Sequence, residues 1–516
     1  MACRRSIGIG LVVVFAGAFT APLRSTAAPA AGVPVFKAGF AERDISPAIG
    51  MEQPGGYGKA YHRTFHDPCK VRAAVFEDST SRVAVVGIDA LFIRRATVAA
   101  TRTAIHARCG IAPESILISA SHTHSGGPTG YYLPGELDDA DPLVRKLVSQ
   151  DTVIANPDYL RRVESAIVEA VVAADAARVE ARGSAAFGQA DNVAFNRRFH
   201  MKNGLTFTHP GQGNPDIVAP AGPTDPQVGV LGAWDKAGNF LGCIVNFACH
   251  GTTGPGGISA DYIYYIERTI RGVMGEKAVV VFVPGTAGDV TQVDNRNPYQ
   301  IRQFGETSAR FVGGRVGAEA VKALLATEQA AGPLTPVASR TRLLAIPRRV
   351  PSPEHLAAAR AMSRKDPGAV DATEWTFAKE VVVLGARVAK EPVVPVEVQA
   401  VQVGPAVFLA SPAEYFCQFG LDLKKGSKFP FTFPVSMAND SIGYVPTEEA
   451  LSAGGGGYET RLTSYSNLVP KAGRLMADTL LDLAAGLRPG PVPRPPALPA
   501  FQGKAWSYGD LGPQVD

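Results

Sequence analysis

Two histidines two residues apart, His122 and His124, lie in Ser119-Ala120-Ser121-His122-Thr123-His124-Ser125-Gly126-Gly127-Pro128. The apolar run Ile116-Leu117-Ile118 before them reads as a buried strand, so the pair sits where a strand gives way to a glycine-rich loop. Side chains alternate with a period of two on extended backbone, so both rings can converge on one point from a single segment. Imidazole serves as metal ligand and as proton carrier, and convergence here points to a cation site or to acid–base chemistry. The structural alternative is a polar turn whose histidines are merely hydrogen-bonded.

Four more stretches join an apolar strand to a polar or glycine-rich turn: Val245–Thr252 around His250, Val283–Thr291 with Gly288-Asp289-Val290-Thr291, Ala410–Tyr415 with Glu414, and Asn439–Thr447 with Tyr444. In an α/β sheet the carboxyl ends of neighbouring strands share one crevice, so turns far apart in sequence can meet there. Glu414 also reads as a helix N-terminal carboxylate after Pro412, and Tyr444 as a core tyrosine. Cys249 beside His250 offers a thiol nucleophile as a competing use of its stretch. His62 and His66, four apart, would share a helix face, but Asp67-Pro68 directly after them argues against a continuing helix.

The elements that would position these residues alternate. Strand-like runs cover Val35–Arg43, Lys70–Glu77, Arg82–Ile88, Ser115–Ser119, Ser184–Gly188, Val228–Trp234, Leu241–Ala248, Lys277–Val283, Arg340–Ile346, Val396–Val403 and Ala406–Ala410. Helical periodicity covers Arg95–Ala107, Tyr159–Ala174, Tyr262–Val273, Glu306–Leu325 and Leu468–Leu487, with a further helix after Pro412. This order predicts an α/β fold, mixed β-sheets flanked by helices, in a single large catalytic domain over residues 35–487. After it, Pro489–Pro496 is too proline-rich to build a packed element, and residues 488–516 read as an extended tail.

Composition limits the partners. Of 516 residues, 46% are hydrophobic and 19% charged, which describes a packed globular enzyme rather than a disordered or nucleic-acid-binding chain. Arg4 and Arg5, the apolar run from Ile7 to Phe19 and the small residues through Ala28 read as a signal peptide over residues 1–28, and so as a secreted or periplasmic protein. Its removal takes away three arginines and no acid, so the net charge falls from +4 to +1, without bias toward a polyanion. Five cysteines then remain, Cys69, Cys109, Cys243, Cys249 and Cys417; no CxxC pair occurs among them, so a cysteine-built zinc site is not expected.

Taken in order, His-Thr-His-Ser-Gly, a later lone His after an apolar strand, Gly-Asp-Val-Thr, Pro-Ala-Glu and Gly-Tyr-Val-Pro-Thr resemble the catalytic domain of the neutral/alkaline ceramidases, over roughly Ala38 to Leu487. The resemblance implies one zinc ion per chain, held by His122, His250, Glu414 and Tyr444, and cleavage of the N-acyl amide of ceramide or a similar lipid by metal-activated water. The donor types suit zinc independently, since it takes imidazole nitrogen and carboxylate oxygen and leaves a position open in catalytic sites. A further structural Ca2+ or Mg2+ is compatible with the same reading.

The resemblance also implies catalytic roles for His124 at the scissile carbonyl, for Arg197 in Asn196-Arg197 opposite developing negative charge, and for Tyr458 in Tyr458-Glu459 as another donor. Asp261 and Asp289 become candidate carboxylates behind the ligand histidines. Two departures qualify the substrate. Thr291 stands where the ceramidases have serine, and its extra methyl narrows the geometry for a hydroxyl nucleophile, water-orienter or neither. No accessory domain follows Leu487, and no membrane-binding amphipathic helix is evident, so membrane contact is at most peripheral. Four glycines, Gly454–Gly457, make the lip before Tyr458 look flexible. Hydrolysis of a different non-lipid amide or ester, or a catalytically silent metal-bound binding protein, are the competing readings.

Overall fold

The computed structural model describes residues 1–2, 8–11, 35–298, 303–495, 497–504, 506–509 and 511–516, so the signal peptide expected over residues 1–28 lies mostly outside them. The chain divides into a short N-terminal unit, Met1–Pro34, and a main body, Val35–Asp516. No helix among the described residues is long and apolar enough to cross a membrane.

The main body is built on an eight-stranded sheet in the order Val279–Pro284, Phe240–Phe247, Gln227–Asp235, Val179–Gln189, Lys37–Asp44, Lys70–Glu77, Arg82–Ile88, Ile116–Ala120. Its interior junctions are antiparallel, while the outermost pair at each end is parallel. Each parallel pair requires a crossover, which the Arg95–Cys109 helix supplies at one end and the Tyr262–Met274 helix at the other. The sheet curls until its two ends touch: a Cβ on Gly87 would lie 2.3 Å from the Phe282 carbonyl oxygen, so only glycine fits there.

A second sheet runs Val337–Pro347, Val393–Val403, Ala406–Ala410, Phe431–Val435, with its last pair parallel and crossed by the Cys417–Gly426 helix. Alternate side chains divide the core. Val83, Val85 and Leu117 meet Val401, Phe408 and Phe433 between the two sheets, while Ala84, Val86 and Ile118 meet the helices on the outer face. Strands buried on both faces in this way read as continuous apolar runs rather than as alternation. The Tyr262–Met274 and Glu306–Thr327 helices cover another part of the outer face, and Cys417–Gly426 and Ala472–Ala485 cover the far side of the second sheet. Helix, sheet, sheet and helix thus form the layers of a mixed α/β fold, as the strand–helix alternation predicts.

Three helices lie outside that expectation, as do the strand Phe431–Val435 and the small sheet of Arg198–Met201, Thr206–Thr208 and Ile217–Pro220. Helices Pro142–Asp151, Pro353–Ser363 and Ala372–Lys390 pack together through Val144, Leu147, Ala359, Trp375, Ala378 and Val382. At the other end of the chain, residues 488–495 carry no regular element, yet their start is pinned: Gln402 Nε2 donates to the Arg488 carbonyl at 2.6 Å and Gly490 N to Gly404 O at 3.0 Å.

Candidate metal centre and cavity

The three parallel crossovers deliver the candidate ligands. His122 follows the edge strand Ile116–Ala120, and His250 follows Phe240–Phe247, the strand next to the opposite edge. Glu414 and Tyr444 follow the two parallel strands of the second sheet and pair with each other in short parallel strands, Glu414–Tyr415 and Tyr444–Val445. Glu414 is therefore strand rather than helix N-terminus; the helix after Pro412 begins only at Cys417. The two edges are stitched directly where Thr123 pairs with Gly251 and His124 N donates to Gly251 O at 3.0 Å. A Cβ on Gly251 would lie 2.6 Å from His122 O, so the close approach needs glycine.

His122 and His124 converge, with ring centroids 5.1 Å apart, but not by the extended backbone that their spacing suggests. His122 sits at φ +63°, a left-handed conformation uncommon outside glycine, held by its N–H donating to Ala90 O at 3.0 Å.

Proton accounting then defines the centre. His122 Nδ1 lies 2.9 Å from Leu91 O and His250 Nδ1 2.6 Å from Ala287 O. A carbonyl accepts only from N–H, so each Nδ1 carries the proton and each Nε2 presents a lone pair. These two Nε2 atoms are 3.2 Å apart, and Glu414 Oε2 lies 3.3 Å from one and 3.4 Å from the other. Three acceptors thus converge, all buried, and Glu414 Oε2 has no hydrogen-bond donor. A proton on one imidazole serves one contact at a time; a divalent cation serves all three. Donors about 2.0–2.1 Å from a tetrahedral zinc are roughly 3.3–3.4 Å apart, so the triangle has the size that zinc requires.

His122, His124 and His250 also form a group whose ring nitrogens lie within 4.8 Å of one another. His124 Nε2 is buried without a partner beside the centre. Burial, the neighbouring imidazoles and Arg197 hold His124 well below the ordinary imidazole range, and burial with Arg197 brings His250 down to about 3. Burial opposes ionisation of Glu414, but His122 and His250 outweigh it and keep its carboxyl well below the usual range. Two imidazole Nε2 lone pairs and a carboxylate oxygen form a donor set suited to a cation.

Tyr444 stands beside the centre and lines the same cavity. Its ring stacks on His250 with centroids 6.5 Å apart, and its hydroxyl accepts from Arg197 Nη2 at 3.1 Å and lies 3.1 Å from the Tyr458 hydroxyl. Arg197 is completely enclosed: Nε donates to Glu459 Oε1 at 2.8 Å and Nη2 to Gly288 O at 2.7 Å. It does not line the cavity, so its place beside developing charge, implied by the resemblance, becomes a place behind Tyr444. Thr291 is likewise turned away: its hydroxyl donates to Gln292 Oε1 at 2.7 Å, and the residue lines no part of the cavity.

The candidate carboxylates behind the histidines have other tasks, because backbone carbonyls already occupy both Nδ1 atoms. Asp261 caps its helix and accepts from Thr253 Oγ1 at 2.6 Å; Asp289 joins Asn196 Nδ2 at 2.8 Å to Cys417 N at 2.8 Å. Cys249 is buried, donates to His250 O, and has its thiol pushed up by burial, so it offers no thiolate. All five cysteines among the described residues are free. His62 meets Gly126 O at 2.8 Å and His66 meets Asp67 at 2.7 Å, both in non-helical backbone and with separate partners. The glycine lip is anchored rather than loose, since Arg198 Nη2 donates to Gly456 O at 2.8 Å and Thr206 Oγ1 to Gly454 O at 3.0 Å.

The centre opens on a cavity of about 470 Å3. His122, His124, Glu414, Tyr444 and Tyr458 line one part of it. The remainder is Gly55, Gly56, Tyr57, Tyr131, Tyr132, Thr152, Ser464 and Tyr465, with Ala372, Thr373, Thr376, Phe377 and Glu380 of the Ala372–Lys390 helix. Sequence reading missed this second group. Among its legible signals is the spacing 373, 376, 377, 380, which places four residues on one helix face.

An α/β body whose strand ends bring together three buried acceptors, a candidate cation site, defines the class. No family model matches the sequence, and neither does any curated protein. Among solved structures, a ceramidase complexed with C2 superposes with a TM-score of 0.64 at 20% identity, over 90% of this chain and 77% of that one. The neutral ceramidase from Pseudomonas aeruginosa gives 0.63 at 20% identity, over 89% and 76%. The fold of this chain is the one those ceramidases have.

Proposed function

We propose that the protein is a zinc-dependent amidohydrolase, exported from the cell, that cleaves an N-acyl amide of the ceramide type. The observation that carries this reading is the triangle of His122 Nε2, His250 Nε2 and Glu414 Oε2, with edges of 3.2, 3.3 and 3.4 Å and no proton available to fill it. The ceramidase fold supports the substrate class, and the N-terminal basic and apolar segment supports export.

His122, His250, Glu414 and Tyr444 would hold the ion, which when bound supplies Lewis acidity to polarise a carbonyl and acidify water. The chain's own groups then set the geometry. Leu91 O and Ala287 O fix the orientation of the two imidazoles. Arg197, itself held by Glu459, fixes the Tyr444 hydroxyl. Tyr458 keeps its proton because burial raises its pKa, so it remains a donor beside Tyr444. His124, neutral and with a free Nε2 on the cavity, positions the scissile carbonyl or carries the proton to the departing amine.

The test strips the purified protein with chelator, restores zinc, and assays N-acylsphingosine beside short N-acyl amides and esters. Fatty acid and amine released only after zinc restoration support the reading. Full zinc with no product from any substrate would replace it with the silent binding protein.

A further inference from the structure

The wall contributed by the Ala372–Lys390 helix carries a carboxylate that no step above uses. Glu380 is 6% exposed and lines the cavity with Thr376 and Phe377 of the same helix face. Its neighbour Lys379, 1% exposed, places Nζ 3.2 Å from Glu380 Oε1. That ammonium donates to Tyr57 O, to Asp151 O at 2.9 Å and to Thr152 Oγ1 at 3.4 Å, so its three protons are spent. Ser464 Oγ donates to Glu380 Oε2. A carboxylate has about four acceptor directions, and these contacts take two.

We propose that Glu380 is a specificity-determining residue: with its charge cancelled by Lys379, it accepts a hydrogen bond from a hydroxyl on the substrate's group flanking the scissile amide. This rests on the amidohydrolase reading. Neutralisation selects the donor, because an ammonium entering here meets the Lys379 charge, whereas a hydroxyl meets only open acceptor directions. The aromatic faces of Tyr57, Phe377 and Tyr465 supply apolar contact around that polar point, and the Tyr57 and Tyr465 hydroxyls, 3.1 Å apart, satisfy each other. A site with a committed buried acceptor discriminates against a substrate that lacks the donor, because the acceptor is then left dry and unpaired.

The test uses three probes: an N-hexanoyl alkylamine, the same amide with a hydroxyl on the amine side, and the same amide with a 2-hydroxyacyl group. With zinc-loaded enzyme, at least one hydroxylated probe exceeds the parent by about tenfold or more in kcat/KM. In Glu380→Leu, which removes the acceptor, that ratio falls toward one, mainly through KM. K379M/E380L, which removes both charges and so avoids an unpaired buried ammonium, gives the same collapse. Binding of the three probes to the metal-stripped protein, by calorimetry, repeats the comparison without turnover. If no probe is cleaved but the hydroxylated one binds tighter and the variants erase the difference, the amidohydrolase reading fails and the role of Glu380 stands. Equal turnover and binding of all three probes by the wild type, or an unchanged ratio in both variants, overturns the proposal.

Discussion

His122, His250 and Glu414 leave the carboxyl ends of strands within a few residues and Tyr444 opens the short strand paired with Glu414, whereas Thr373, Thr376, Phe377 and Glu380 stand on one face of a helix. The first group is held by backbone: carbonyls fix both imidazoles, and paired short strands fix Glu414 against Tyr444. The second is held by side-chain packing of the Ala372–Lys390 helix on Pro142–Asp151 and Pro353–Ser363. Backbone ladders fix donor positions closely, as a metal requires, while helix packing tolerates exchange of the residues that face a ligand. One cavity therefore combines a rigid candidate metal centre with a wall that can be altered without moving it.

That contrast breaks most visibly at the ligands. Glu414→Gln removes the charge that completes the triangle, and turnover of the best N-acyl amide is expected to fall by about 10³ or more in a steady-state assay, with fold retained by circular dichroism. Retained turnover would mean that the strand-end group is not the reacting centre.

A second effect tests how the strand edge behind His250 is held. Arg72 Nε on the Lys70–Glu77 strand donates to Glu267 Oε2 at 2.9 Å on the Tyr262–Met274 helix, and Lys70 Nζ to Oε1 at 2.7 Å. Burial would raise the Glu267 carboxyl, but Arg72 and Lys70 outweigh it and bring it to about 2. An unfolded glutamate titrates near 4.3, so as pH falls the unfolded chain takes the proton first. The contribution is full above about pH 4.3 and is lost progressively toward pH 2, about 3 kcal/mol at most. Urea midpoints between pH 5 and 2.5 should show that slope, and Glu267→Gln should flatten it.

Behind the candidate ligands, Glu459→Gln loosens the grip of Arg197 on Tyr444 and, on the proposed mechanism, should lower kcat by about 10- to 100-fold without abolishing metal binding. On the helical wall, Phe377→Ala should raise KM by about tenfold with metal content unchanged and kcat little altered. A wall variant that lost metal, or a Glu459 variant that changed only KM, would erase the distinction between the two regions.

The sequence made the strand-end half legible because strand-to-turn junctions announce themselves through apolar runs followed by glycine and polar residues. Strands Lys70–Glu77, Arg82–Ile88 and Ala406–Ala410 lie where those runs place them. The left-handed backbone of His122 leaves no such mark, nor does the fact that carbonyls rather than Asp261 and Asp289 orient the histidines. Arg197 and Thr291 carry the residue types for work at the reaction, but Glu459 and Gln292, named by nothing in their spacing, bind them away from the cavity. The helical wall escaped because one stripe of the Ala372–Lys390 helix is apolar core and the other is Thr, Thr, Phe and Glu, which blunts the periodicity. Its visible signals were caps: Ser352 before Pro353, and Asp371, whose side chain accepts from Glu374 N at 2.9 Å.

The central claim is that His122, His250 and Glu414 hold one divalent cation at the strand ends. Metal quantification by mass spectrometry on the purified chain and on His122→Ala/His250→Ala tests it most directly. About one zinc per wild-type chain and almost none in the variant is the predicted result; undiminished metal in the variant would contradict the account.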